Sequence, residues 1–162
     1  MLNYRKIRRD LMKRYEKGKT IRFFMSEEKI YVQLYDFCIV MLPQNENPFD
    51  LGLWEAEPKM DYMKQELRRT LRARPVNRFT AGAQDMLHMV RAEDRENRAW
   101  YPQTIFSLLA PKGDYSWAID KTSKVLYVTA EPEHVLEIVA LPGYVNEEEE
   151  EQALAKTEGE TA

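Results

Sequence analysis

The sequence predicts an α+β protein: two antiparallel three-stranded meanders with about four helices packed against them. Three observations predict it. From Asn3 to Lys17 the apolar residues Tyr4, Ile7, Leu11 and Tyr15 recur at steps of three and four, the period of a helix. From Thr20 to Pro43 the period shortens to that of extended chain, and from Asp114 to Pro142 it does so again.

Gly18 gives the first helix a natural stop, since glycine readily takes the left-handed conformation of a helix end. The first meander follows in three runs: Ile21, Phe23 and Met25, then Ile30, Val32 and Leu34, then Phe37 to Leu42. Pro43 ends it because proline cannot donate to a central ladder. Between Gln44 and Lys59 the breakers Asn45, Asn47, Pro48, Gly52 and Pro58 stand among Phe49, Leu51, Leu53 and Trp54, which reads as an ordered loop stapled to the body by large side chains.

A second helix is expected over Asp61–Arg74, with Leu67 and Leu71 inward and Lys64, Arg68 and Arg72 spaced by four on another face, joined by Arg69 and Arg74. Pro75 closes it. Thr80 can cap a third helix running to about Asn97, with Ala83, Met86, Leu87 and Val90 toward the core and His88 on or near that stripe. For Ala99 to Pro111 a short buried helix is the first choice and an extended segment the second. The last meander has Tyr115, Trp117 and Ile119 alternating with small or polar neighbours, then Lys124 to Ala130, then Val135 to Leu141.

A chain of 162 residues, 44% hydrophobic, is long enough for one substantial core. The expected division is a single domain over 1–145 and an acidic tail over 146–162, which lacks aromatic residues and is expected to hold at most a transient helix. No apolar run is long enough to cross a bilayer, and no secretory pattern follows the basic first residues, so a cytoplasmic protein without a membrane partner is expected. The single cysteine, Cys38, lies in an apolar run and reads as structural.

The chemistry-bearing motifs are missing. The sequence has no phosphate loop, dinucleotide fingerprint, HExxH, CxxC or Gly-x-Ser-x-Gly elbow, and two histidines with one cysteine make a poor ligand supply. His134 with Glu131 and Glu133 forms an acid–base trio in sequence, but at a turn, where water screens such groups. Glu55 and Glu57 are sequence neighbours on a loop, which does not set the separation a glycosidase needs. No catalytic residue, metal or cofactor is therefore expected.

Charge is more informative, because it is segregated. Nine basic residues from Arg5 to Arg22 face only Asp10 and Glu16, whereas Glu147 to Glu151, Glu158 and Glu160 face Lys156 alone. In its order of elements, a basic helix followed by a meander and then again, the chain resembles one domain of the DNA sliding clamps over most of Asn3 to Pro142; the Gln44–Lys59 loop and the extra helices depart from that pattern. The resemblance implies helices lining a basic channel and sheets on the outer rim.

The expected function is a non-enzymatic intracellular binding module, with Arg5, Arg9, Lys13, Lys64, Arg68 and Arg72 on two basic helices contacting nucleic-acid phosphates and the acidic tail competing for that surface. The alternative is an interaction or inhibitor domain that docks an acidic protein, with Trp54 or Trp100 as an anchor.

Overall fold

The computed structural model describes residues 2–26, 28–48, 70–81 and 86–155. Among them the secondary structure is α1 (Tyr4–Glu16), β1 (Phe23–Ser26), β2 (Lys29–Tyr35), β3 (Cys38–Met41), a 3-10 turn (Gln44–Glu46), β4 (Thr70–Ala81), β5 (Met86–Ala92), β6 (Arg98–Pro102), α2 (Gln103–Phe106), β7 (Tyr115–Asp120), β8 (Leu126–Ala130), β9 (Val135–Ala140) and α3 (Glu147–Ala155). The strands form one nine-stranded antiparallel sheet in the order β1-β2-β3-β9-β8-β7-β4-β5-β6.

This corrects the expected fold class. The runs at Thr20–Pro43 and Asp114–Pro142 do not build two separate meander units, because β3 pairs with β9 through Ile39 opposite Val139 and fuses them. Of the helices expected at Asp61–Arg74 and from Thr80 to Asn97, the described parts are strands instead: residues 70–81 form β4 and 86–92 form β5, while 61–69 and 82–85 lie outside the described residues. The clamp-like order of elements lapses with them.

The physical reason is visible in β5. Leu87 and Met89 are buried on one face of the sheet while Val90 is buried on the other, so its apolar residues show no clean alternation, and the spacing of Met86, Leu87 and Val90 imitates a helix. In β4 Pro75 sits at the start of an irregularity in the pairing with β5 that extends to Phe79, a place where a missing N–H is tolerated. Ala99 to Pro111 divides into β6 and the one-turn α2.

The sheet is strongly curled. Gly143 N–H donates to the Trp100 carbonyl at 2.7 Å. Three residues from the end of β9 reach about 10 Å, whereas β6 is five strands away in the sheet order, which is roughly 24 Å when flat. The sheet therefore swings β6 back toward the end of β9. Tyr101, whose hydroxyl donates to the Lys124 carbonyl at 2.6 Å beyond β7, spans the same closure.

The inside of the curl is the main core. It gathers Val32, Leu34, Val40, Ile119, Leu126, Val128 and Ile138 from the strands with Ile7 and Leu11 of α1 and Ile105 of α2. Asn3 caps α1 by accepting from Lys6 N–H at 3.3 Å, and Gly18, at φ 73°, ends it. Each buried Ile or Leu is worth about 1.5–3 kcal/mol, so Ile7 and Leu11 hold a helix whose other faces are charged. The outer face carries a patch around Phe24, Tyr31, Tyr127 and Val139, and a second around Val76, Leu87, Met89 and Trp100 that α3 covers with Ala153 and Leu154. Residues 147–155, which composition marks as tail, are thus a helix against the sheet.

Candidate functional site

The outer face of β4, β5 and β6 gathers arginines. Arg74 and Arg91 are Cα partners across β4 and β5, and Arg91 and Arg98 are partners across β5 and β6. Strand alternation puts all three on the side of Val76, Met89 and Trp100, because Ala73, Val90 and Ala99 belong to the inner core. Arg72 shares that side two residues along β4, and Arg78 lies further up the same strand. A pocket of about 300 Å³ opens among Arg72, Arg74, Arg91 and Arg95, with Glu93 as its one acid.

The crowding is felt most at Arg91. Burial first, and then the charges of Arg78, Arg95, Arg74 and Arg98, push its guanidinium below the ordinary value. The fold holds like charges together.

The β5–β6 turn presents Arg95. Ala92 N–H donates to the Asn97 carbonyl at 2.8 Å, and Arg95 N–H to the Ala92 carbonyl at 2.9 Å. Asp94 Oδ1 accepts from the Glu96 and Asn97 N–H groups at 3.1 and 3.0 Å. The Asn97 backbone and side-chain donors hold the exposed Asp94 carboxyl below its ordinary range. Arg95 itself sits at φ 66°, a left-handed conformation for a residue with a Cβ, which these bonds hold in place. Lys124 reaches the same turn, its Nζ donating to Asn97 Oδ1 at 2.5 Å.

At the β6 end of the row the charge is met. Arg98 Nε lies 2.6 Å from Glu150 Oε1 of α3, and the Trp100 indole N–H donates to the same oxygen at 3.3 Å.

The residues named from sequence divide among three places. Arg5, Arg9 and Lys13 are exposed on α1, across the sheet from the arginine row. Arg72 is exposed on β4 and belongs to the row, although on a strand and not on a helix. Lys64, Arg68 and Trp54 lie outside the described residues, as do Glu55 and Glu57. Trp100 is buried beneath α3. Much of the α1 charge is already paired: Lys6 with Asp10 at 3.2 Å, Arg8 with Glu46, Arg9 with Asp10 at 3.4 Å, and Arg14 with Asp36 at 2.9 Å.

Arg78, Arg91, Arg95 and Arg98 were not legible as site residues, since seven positions separate Arg91 from Arg98 in sequence and only the β5–β6 pairing makes them neighbours. The available signal was the alternation of Arg72 and Arg74 with Leu71 and Ala73, which is that of a strand with a basic face.

The histidines offer no acid–base centre here. The His134 side chain is 79% exposed at a turn, 2.7 Å from Glu131 Oε2, and Glu131 Oε1 also accepts from Ser116 Oγ. His88 lies between Phe79 and Phe106, tilted against the first ring at a centroid distance of 4.5 Å and stacked on the second at 4.3 Å, and burial pushes its pKa down. Cys38 is buried, which pushes its thiol up and away from the reactive thiolate. Among the described residues no three His, Cys, Asp or Glu side chains gather into a metal-binding group, and no helix is long and apolar enough to cross a membrane. No protein-family model, curated protein or solved structure matches this chain.

Proposed function

We propose that the chain is a non-enzymatic binding module whose arginine face takes the phosphate backbone of a nucleic acid. The observation that supports it is the convergence of Arg72, Arg74, Arg78, Arg95 and Arg98 around Arg91. Like charges set opposite one another across strands cost stability until an anion joins them, and guanidinium groups offer phosphate oxygens paired donors. Contacts of this kind fix position and affinity without reading bases. The β5–β6 turn contributes Glu93, Asp94 and Glu96 against the row, so the attraction is local to the face and not a property of the whole hairpin.

The experiment is binding of a short duplex at several salt concentrations by fluorescence anisotropy. Contact with four or so phosphates gives a slope of log K against log salt of roughly −4. Replacing Arg74 and Arg91 by Gln should weaken binding about tenfold and flatten the slope by about two. Replacing Arg5, Arg9 and Lys13 by Gln tests the other side of the sheet: loss of binding there, with the Arg74 and Arg91 variant unaffected, would move the interface to α1. No binding to duplex DNA or RNA at low salt by folded protein would end the nucleic-acid reading.

A docked acidic protein is the second reading, and one observation favours it. A glutamate carboxylate, that of Glu150, already rests on Arg98 and Trp100.

A further inference from the structure

We infer that α3 is an intramolecular competitor for the arginine face, its Glu150 carboxylate taking the position on Arg98 that a phosphate of the bound polyanion requires; the inference rests on the phosphate-backbone reading. Two independent features carry it. Glu150 Oε1 is engaged by Arg98 Nε at 2.6 Å and by the Trp100 indole N–H at 3.3 Å, a two-donor seat for one anionic oxygen at the end of the Arg74–Arg91–Arg98 row. The helix that supplies the carboxylate is also short and holds to the sheet through few side chains, Ala153 and in part Leu154. Its described span, Glu147–Ala155, has nine residues, below the length at which helices persist alone, and of the side chains in that span only Ala153 is buried.

Its charge pattern works in the same direction. Five successive glutamates, Glu147 to Glu151, repel at steps of three and four, although their position in the first turn and the Asn146 cap, which accepts from Glu149 N–H at 2.8 Å, offset part of this. The segment before α3 is tied to β6 by the bond from Gly143 to Trp100. That tether keeps the acid at high effective concentration beside the row while leaving the helix itself free to lift. Neutral conditions without polyanion favour the docked helix, and a polyanion competes with it for Arg98.

The test compares Glu150→Gln with Glu148→Gln in the full chain, using a short DNA duplex as probe at low salt. Both remove one negative charge from α3, but Glu148 is exposed and away from the Arg98 seat. Glu150→Gln should tighten binding about threefold and Glu148→Gln clearly less, the size expected for one partly exposed ion pair. In the unsubstituted chain, saturating duplex should also speed amide hydrogen exchange in α3. Equal effects of the two substitutions, or α3 amides equally protected with duplex bound, would overturn the competitor role while leaving the binding reading intact. No binding by any of the three proteins would overturn the reading, and this inference with it.

Discussion

Arg74 stands directly opposite Arg91 across β4 and β5, and neither is met by a carboxylate in its own strand pair. Like charges in that arrangement oppose folding by about 0.2–1 kcal/mol. Arg91→Gln should therefore raise stability, by about 0.5 kcal/mol, where most substitutions lower it. Added salt should stabilise the unsubstituted protein more than the variant, because screening relieves a repulsion that the variant has lost. Urea denaturation at low and high salt reads both effects. A destabilised variant would show that Arg91 is held by favourable contacts and not crowded.

His88 makes stability depend on pH. Burial between Phe79 and Phe106 lowers its pKa in the folded state below the ordinary 6.5, against a smaller opposing pull from its hydrogen bond to the Val76 backbone. The unfolded chain then binds the proton more readily. Stability is fully present above about pH 6.5 and is lost as pH falls through that value toward the lowered one. The urea midpoint should drop between about pH 7.5 and about pH 5.5, and His88→Phe, which keeps the stack, should remove that part of the drop. An unchanged pH dependence in the variant would acquit His88.

Tyr35 joins the sheet to α1. Its hydroxyl donates to Asp10 Oδ2 at 2.5 Å. Burial raises the Asp10 carboxyl, but the Tyr35 hydroxyl and Lys6 outweigh it and hold the group below its ordinary 3.8. Tyr35→Phe should cost about 1–2 kcal/mol near neutral pH, the range for a hydrogen bond to a charged partner that keeps some access to water. A carboxyl with a lowered pKa stabilises above its ordinary value and loses that contribution as pH falls through the lowered one, so the gap between the two proteins should narrow below about pH 4. A constant gap down to acid would place the cost in packing instead.

These relationships differ in how far the sequence foretells them. Ile7 and Leu11 announce α1 because one face of that helix is apolar and the others are charged. Val32 and Leu34 announce β2 in the same way, alternating with Tyr31 and Gln33. α1 has one buried face, and although Tyr31 of β2 is buried on the outer side, Gln33 keeps that side mixed, so each element still displays its own period. Met86–Ala92 is buried on both sides, so its period is erased and its residues fit a helix as well as a strand. The arginine row was hidden for a related reason. Lys64, Arg68 and Arg72 at steps of four point to a basic helix, whereas the cluster around Arg91 is assembled by pairing between strands, and pairing is not written in the spacing along one strand.

The seam that makes one sheet of the two meanders has its own test. Cys38 of β3 and Ala140 of β9 are Cα partners, buried in the same core cluster and so pointing to the same side. One step along, Leu141 N–H donates to the Phe37 carbonyl at 2.8 Å, which marks that pair as hydrogen-bonded. Antiparallel pairs alternate, so Cys38 and Ala140 form a non-hydrogen-bonded pair with Cα atoms about 4.5 Å apart, inside the range a disulfide spans. Cys38 is the only cysteine in the chain, which leaves one pairing available to an introduced thiol within the molecule. Ala140→Cys, refolded under oxidising conditions, should therefore lose both free thiols and migrate faster on a non-reducing gel. Closing a loop of roughly 100 residues should also raise stability by up to about 4 kcal/mol, less whatever strain the bridge adds to the packed core. Two titratable thiols after refolding, or cross-linking only between molecules, would separate β3 from β9 and restore two independent meanders.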